Sequence, residues 1–211
     1  MNVYMKPQDI EKRSFEIITA ELGERTFPDG IAQVVKRVIH TTADFDYADN
    51  LAFSPDVIEK AKAALLSGAT VVTDTNMALS GISKPTLAKI GAKAFCLMAD
   101  AEVAAEAKTR GVTRAVVSME HAAKLPGPLI FAVGNAPTAL IRLHELIEAG
   151  ELSPALIIGV PVGFVNVVEA KELFIGGKTP YIIARGRKGG SNVAASIVNA
   201  LLYQLVHREG F

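Results

Sequence analysis

His40 is the residue of this chain best suited to proton transfer. At 100° per residue along a predicted helix, it falls with Gln33 and Arg37 on the face opposite an apolar Val/Ile stripe. His40 is therefore expected outside the core and near the helix C-terminus, where the partial negative charge favours an imidazolium. Asp44 is expected to add to that effect and give an acid poised near neutral pH. From the pattern alone, a solvated surface histidine is the competing interpretation.

Arg37 precedes His40 by about one helical turn, so its positive charge opposes protonation of the imidazole. The two cations are compatible if an anion lies between them. The pair therefore predicts an anionic ligand.

A second group of cations occurs in the sequence Arg-Gly-Arg-Lys-Gly-Gly-Ser at positions 185–191, just before a predicted helix. Glycine-rich backbone and a helix N-terminus both favour bound phosphate or carboxylate. We expect Arg185, Arg187 and Lys188 to hold carboxylates of the ligand. A solvated basic turn is the alternative interpretation.

Short apolar runs alternate with helical segments along most of the chain. The predicted strands are residues 70–73, 94–98, 115–117, 129–133, 155–160 and 181–184. The predicted helices are residues 7–22, about 31–40, 55–67, 101–110, 137–149, 166–174 and 192–206. This alternation predicts an α/β fold with a three-layer, doubly wound, mostly parallel sheet that follows two N-terminal helices. Without repeats or long linkers, residues 1–211 are expected to form a single domain.

Glycines lie at or just after the ends of three predicted strands, in the segments 134–138, 159–163 and 185–192. In open α/β sheets, ligands bind at the carboxyl ends of the strands, and glycine lets the backbone approach them closely. We therefore expect Asn135, in the first of these segments, to contact the ligand. Tight turns would explain each glycine equally well when taken singly.

The composition excludes several classes of function. Lys plus Arg and Asp plus Glu are both 22, so no overall charge attracts nucleic acid or a membrane surface. The single cysteine allows neither an intrachain disulfide nor a Cys-rich metal site. Dinucleotide and P-loop motifs are absent, so we expect no cofactor and no protein-bound metal. The N-terminus lacks the apolar core of a signal peptide and no apolar run is long enough to span a membrane, which predicts a cytoplasmic protein.

Six short segments occur in order and nearly from end to end: Glu-Lys-Arg-Ser-Phe at 11–15, Arg-Val-Ile-His at 37–40, Phe-Ser-Pro at 53–55, Gly-Asn-Ala-Pro-Thr-Ala-Leu at 134–140, Pro-Val-Gly-Phe-Val at 161–165 and the basic segment at 185–191. In this ordered set the sequence resembles the precorrin-8X and cobalt-precorrin-8 methylmutases of vitamin B12 biosynthesis. The resemblance implies migration of a methyl group from C11 to C12 of the macrocycle, giving hydrogenobyrinate or cobyrinate. It implies His40 as the catalytic residue, Ser14 and Arg37 as substrate contacts, and a homodimer that binds substrate near the subunit interface.

The chemistry of the residues agrees with this resemblance. A tetrapyrrole that carries acetate and propionate groups needs local cations, and a methyl shift within one molecule needs only a proton and a fixed geometry. Any cobalt would belong to the substrate and not to protein ligands. The sequence Thr-Thr-Ala-Asp-Phe at 41–45 resembles the enzymes of the anaerobic, cobalt-containing branch of the pathway more than those of the aerobic branch. A non-catalytic tetrapyrrole carrier and a nucleotide-dependent α/β enzyme are the alternatives.

Overall fold

The structure, a computed structural model, describes residues 6–206, and side chains of residues 7 and 8 are not described. Within that range the helices are α1 (Pro7–Leu22), α2 (Ile31–Thr42), α3 (Tyr47–Asn50), α4 (Val57–Leu66), α5 (Asn76–Gly81), α6 (Lys84–Lys89), α7 (Ala101–Arg110), α8 (Arg114–Ala122), α9 (Pro137–Glu148), α10 (Val167–Glu172) and α11 (Ser191–Leu205). The strands are β1 (Leu51–Phe53), β2 (Thr70–Thr73), β3 (Lys93–Phe95), β4 (Leu129–Val133), β5 (Leu156–Gly159) and β6 (Tyr181–Ala184).

The strands form one sheet in the order β1-β6-β5-β4-β2-β3. Strand β1 pairs antiparallel with β6, and the other neighbouring strands are parallel. From β2 the chain first adds β3 on one side and then crosses to add β4 on the other. The direction of winding therefore reverses between β2 and β4, which is where doubly wound folds bind ligands.

Side chains alternate across the sheet and bury one set on each face. Val71 and Ile130 pack on one face with α1, α2, α4 and α11, whereas Val72 and Phe131 pack on the other with α8, α9 and α10. This arrangement confirms the predicted three-layer, mostly parallel α/β fold. The single-domain prediction covered residues 1–211, of which 1–5 and 207–211 lie outside the described residues. Among the described helices, none combines the length and apolarity that crossing a membrane requires.

Helix α2, which carries His40, is held by its apolar stripe. Val34, Val35, Val38 and Ile39 are buried, and most of the packing of this helix is against α11. The helix ends where Ala43 adopts a left-handed conformation (φ 54°) and donates its N–H to the carbonyl of Ile39. His40 thus lies in the last turn, outside the buried stripe, as the sequence pattern predicts.

Several sequence-based assignments were wrong. Residues 115–117, predicted as a strand, belong to α8, because the Thr113 side chain caps the helix and Ala115, Met119 and Ala122 form a buried stripe at helical spacing. Strand β1 and helices α3, α5 and α6 were not predicted. These elements have three to six residues, too few for a period to show.

Candidate active site

A cleft of about 410 Å³ lies beside the C-terminal half of α2. Its lining comes from four helices: Glu11 on α1; Arg37, His40 and Thr41 on α2; Gly81 on α5; and Asn192, Ala195, Ser196, Asn199 and Tyr203 on α11. The residues contributed by α5 and the middle of α11 are small. A Cβ at Gly81 would lie only 2.8 Å from the Cβ of Ala195, so this glycine lets the two helices approach closely.

The guanidinium of Arg37 is fixed from three sides. Its Nη2 lies 2.5 Å from Oε1 of Glu11, and both side chains are less than a fifth exposed (18% and 16%). The guanidinium also lies over the ring of Phe15 at 4.7 Å and over that of Tyr203 at 5.2 Å. Helices α1 and α11 together therefore hold this charge in place one turn from His40.

His40 packs against the same aromatic residue. Its ring stacks on Phe15 with 5.4 Å between centroids and 19° between planes. His40 also lines a second cavity of about 220 Å³, together with Ser14 and an apolar group of residues that includes Ile17, Ile39 and Phe45. His40 thus lies between a polar and a mainly apolar cavity, a placement suited to a large ligand with a hydrophobic ring and charged substituents.

The electrostatic environment of His40 differs from the sequence-based expectation. Partial burial lowers the pKa of His40, Arg37 lowers it further, and Glu11 raises it in part. Asp44, expected to stabilise the imidazolium, instead accepts a hydrogen bond from Lys188, which lowers the pKa of Asp44. The protein itself supplies a negative charge beside Arg37, because the carboxylate of Glu11 pairs with its guanidinium.

The switch point of the sheet contains a buried carboxylate that the sequence analysis missed. Asp74, directly after β2, is fully buried and accepts hydrogen bonds from the backbone N–H groups of Gly134 (2.8 Å), Asn135 (2.8 Å) and Ala136 (2.6 Å). Burial raises the pKa of Asp74, and the backbone donors oppose that rise. The N-terminal anion site of α9 is thus filled by the protein, while the side chain of Asn135 remains exposed.

The start of α11 links this switch point to the cleft. The hydroxyls of Thr75 and Ser191 are hydrogen-bonded at 2.7 Å. A Cβ at Gly134 would lie 2.7 Å from the Cα of Ser191, so only glycine allows this approach. Asn192, the next residue, lines the cleft of His40.

The basic loop after β6 is partly neutralised by the protein. Arg185 forms two hydrogen bonds with Glu172, and Lys188 binds both Asp44 and Asp46 at 2.6 Å. Lys188 therefore joins this loop to the segment that follows α2. Arg187 differs, because within residues 6–206 no carboxylate pairs with it.

Arg187 lies on the exposed side of this loop, and Lys171 lies on its buried side. The guanidinium of Arg187 lies 5.4 Å from the ring centroid of Phe164, which is 83% exposed in the loop after β5. Beneath the loop, the fully buried Lys171 donates hydrogen bonds of 2.8 Å to the carbonyls of Gly186 and Lys188. Burial lowers the pKa of Lys171 to about 8.

The structure thus brings His40, Arg37 and Ser14 together. The two cavities that His40 lines contain neither Asn135 nor the three loop cations. In the described part of the chain, no three His, Cys, Asp or Glu side chains are grouped so that they could hold a metal ion. Sequence reasoning assigned no role to Glu11 and Phe15, although both fall in the 11–15 segment, and it gave no signal for Asn199 and Tyr203.

A family model described as precorrin-8X methylmutase matches residues 9–204. The chain belongs to the precorrin-8X methylmutase family. The cobalt-precorrin-8 methylmutase of Salmonella typhimurium is 45% identical, over 97% of this chain and 99% of its own length. That of Priestia megaterium is 44% identical, over 93% of this chain and 88% of its own. A crystal structure of the precorrin-8X methylmutase of Thermus thermophilus aligns with a TM-score of 0.86 at 39% identity, covering 92% of this chain and 94% of that one.

Proposed function

We propose that this chain is an isomerase that moves a methyl group from C11 to C12 of cobalt-precorrin-8, or of metal-free precorrin-8X, in cobalamin biosynthesis. The observation that carries the proposal is the position of His40 in the walls of two adjoining cavities, in a chain that belongs to the methylmutase family. The names of the Salmonella and Priestia relatives favour the cobalt form. Cobalt is then part of the substrate, and the protein needs no cofactor or metal of its own.

In this mechanism His40 is the general acid. Substrate and product are isomers, so the proton that His40 donates to the ring must be balanced by loss of a proton from the ring. Because burial and Arg37 lower the pKa of His40 in the free protein despite Glu11, further negative charge nearby would increase the protonated fraction of His40 at neutral pH. The carboxylates of a bound tetrapyrrole would supply that charge, so substrate binding itself would favour the protonated acid.

Ser14 and Arg37 are proposed to contact the substrate beside His40. Arg187 is proposed to bind a substrate carboxylate, since it lacks an acidic partner in residues 6–206 and lies beside the exposed ring of Phe164. Arg185 and Lys188 are proposed to assist by exchanging their carboxylate partners for those of the substrate, and Asn135 by offering its exposed amide.

The test is optical. Mixing the purified protein with cobalt-precorrin-8 should convert the absorption spectrum to that of the product, with isosbestic points and a rate proportional to enzyme concentration. A spectrum that shifts once, in proportion to protein and without turnover, would identify a non-catalytic carrier instead. Metal-free precorrin-8X, assayed in parallel, would show which substrate gives the higher kcat/KM.

We also propose that the protein is a cytoplasmic homodimer. A single cysteine fits a reducing compartment, and the exposed apolar side chains of Val162, Phe164 and Val165 fit a surface that is covered in an assembly. Light scattering at micromolar concentration should give about twice the mass of one chain. A stable, fully active monomer would contradict the dimer.

A further inference from the structure

Glu11 lies beside the proposed acid with its side chain 16% exposed, although the sequence pattern gives it no role. It extends from α1 into the cleft that His40 lines, and its carboxylate pairs with Arg37 at 2.5 Å. The rings of Phe15 and Tyr203 also contact the guanidinium, so Arg37 is held close to His40. A fixed guanidinium one turn away disfavours a second positive charge on the imidazole.

Charged and titratable groups approach His40 from each neighbouring element. Helix α1 contributes Glu11 to the larger cavity and Glu21 to the smaller one, and α11 contributes Tyr203. After the end of α2, Asp44 is paired with Lys188. Glu11 differs from Glu21 because it is in direct contact with the cation that opposes protonation of His40.

We propose that Glu11 is a positioning residue for the methyl shift: its pairing with Arg37 compensates the guanidinium charge and so lets His40 carry the proton that the reaction uses. This inference rests on the proposed role of His40 as proton donor. Glu11 does not touch the reacting atoms in this account. It acts through Arg37 and through the electric field at the imidazole.

The pairing has a second consequence for binding. Arg37 is a proposed substrate contact, and a carboxylate of the substrate must compete with Glu11 for its guanidinium. Removing the charge of Glu11 should therefore strengthen the attraction between Arg37 and the substrate, while it lowers the fraction of His40 that is protonated at neutral pH. Loss of a merely structural residue would not lower KM and kcat together.

The decisive measurement is the titration of His40 followed by NMR of the imidazole carbons, with its signal assigned by comparison with His40→Ala. The chain has four histidines, so the spectrum is simple. In Glu11→Gln the midpoint of His40 should fall by more than about 0.3 pH unit, and each full unit of fall would leave about tenfold less imidazolium at neutral pH. In the double variant Glu11→Gln/Arg37→Gln the midpoint should rise again, because the opposing cation is also gone.

Glu16→Gln is the matched control, since Glu16 is exposed on the same helix and pairs with Arg13 instead of Arg37. Its His40 midpoint should equal that of the wild type. A His40 midpoint unchanged in folded Glu11→Gln would overturn the proposal. So would a double variant whose midpoint stays as low as that of Glu11→Gln, because the effect would then not depend on Arg37.

Kinetics separate this inference from the proposed function. At neutral pH, Glu11→Gln should lower kcat and lower or preserve KM, whereas a rise in KM with unchanged kcat would contradict the role given to Glu11. If His40→Ala retains wild-type turnover, the proton donor is wrongly assigned. The titration of Glu11→Gln does not depend on turnover, so it reports the coupling between Glu11 and His40 in either case.

Discussion

Lys171 gives the protein a specific dependence of stability on pH. Its ammonium is fully buried under the basic loop, and the groups that accept its hydrogen bonds, the carbonyls of Gly186 and Lys188, are uncharged. Burial lowers the pKa of Lys171 from an ordinary 10.5 to about 8, with Glu172 opposing this effect in part. In the unfolded chain the lysine is hydrated and titrates at its ordinary value.

The sign and size of the effect follow from these two values. Between about pH 8 and 10.5 the unfolded chain binds more protons than the folded protein, so the free energy of unfolding rises with pH. From pH 7 to 10, the rise attributable to this one group is about 2–3 kcal/mol. Lys171→Met removes the titrating group and keeps much of the apolar volume. The stability of the wild type minus that of the variant should therefore increase by that amount between pH 7 and 10.

Urea unfolding followed by circular dichroism, at half-unit steps from pH 7 to 10, would measure this difference. Other lysines and the tyrosines titrate in both proteins, so their contributions cancel in the comparison. Lys178→Met, which removes an exposed ammonium, is the matched control for a change in net charge. Stability curves of wild type and Lys171→Met that run parallel over this range would refute the buried, desolvated ammonium.

Three further predictions concern the site and its supports. His40→Ala should reduce kcat by about 10²–10⁴-fold while the protein stays folded. In the wild type, kcat/KM should fall with rising pH around a midpoint below the ordinary histidine value of 6.5. Unchanged turnover in the variant, or a kcat/KM that rises with pH, would contradict the role of His40 as general acid. Arg187→Gln should raise KM about tenfold or more with kcat nearly unchanged. Arg185→Gln should raise KM less, because Glu172 already binds the guanidinium of Arg185. Equal rises in KM would contradict the greater role given to Arg187 in substrate binding. Gly189→Ala should destabilise the protein by more than about 2 kcal/mol, since the new Cβ would lie 2.0 Å from the carbonyl oxygen of Val160, and a wild-type melting temperature would refute this packing.

Much of the fold was predictable because its central strands are continuous apolar runs. Residues 70–73, 129–133 and 181–184 were assigned with their observed bounds, since strands buried on both faces have a distinctive composition. The segment 115–117 was misread because Ala-Val-Val suits a strand and a buried helix equally. Strand β1 was missed because its three residues acquire their conformation by pairing with β6, which lies more than 120 positions away in the sequence.

The site shows a similar division. The spacing of Arg37 and His40 on one helical face was readable from the sequence, because helix geometry fixes it locally. The direction in which the pKa of His40 shifts was not, because it depends on burial and on Glu11, and Glu11 reaches the cleft only when α1 docks beside α2. Likewise, the pairing of Lys188 with Asp44 joins residues 144 positions apart and left no local pattern.

The cleft that His40 lines can form only after most of the described chain has been synthesised. Its walls come from both extremes of the described chain, from Glu11 on α1 to Tyr203 on α11. The apolar stripe of α2 packs mainly on α11, which is the last of the described helices to leave the ribosome. Until α11 emerges, that stripe and the face of the sheet that α11 covers remain uncovered, so nascent chains should depend on chaperones until α11 has been synthesised. Arrested chains that end before residue 191 should accordingly bind chaperone and lack the cleft altogether.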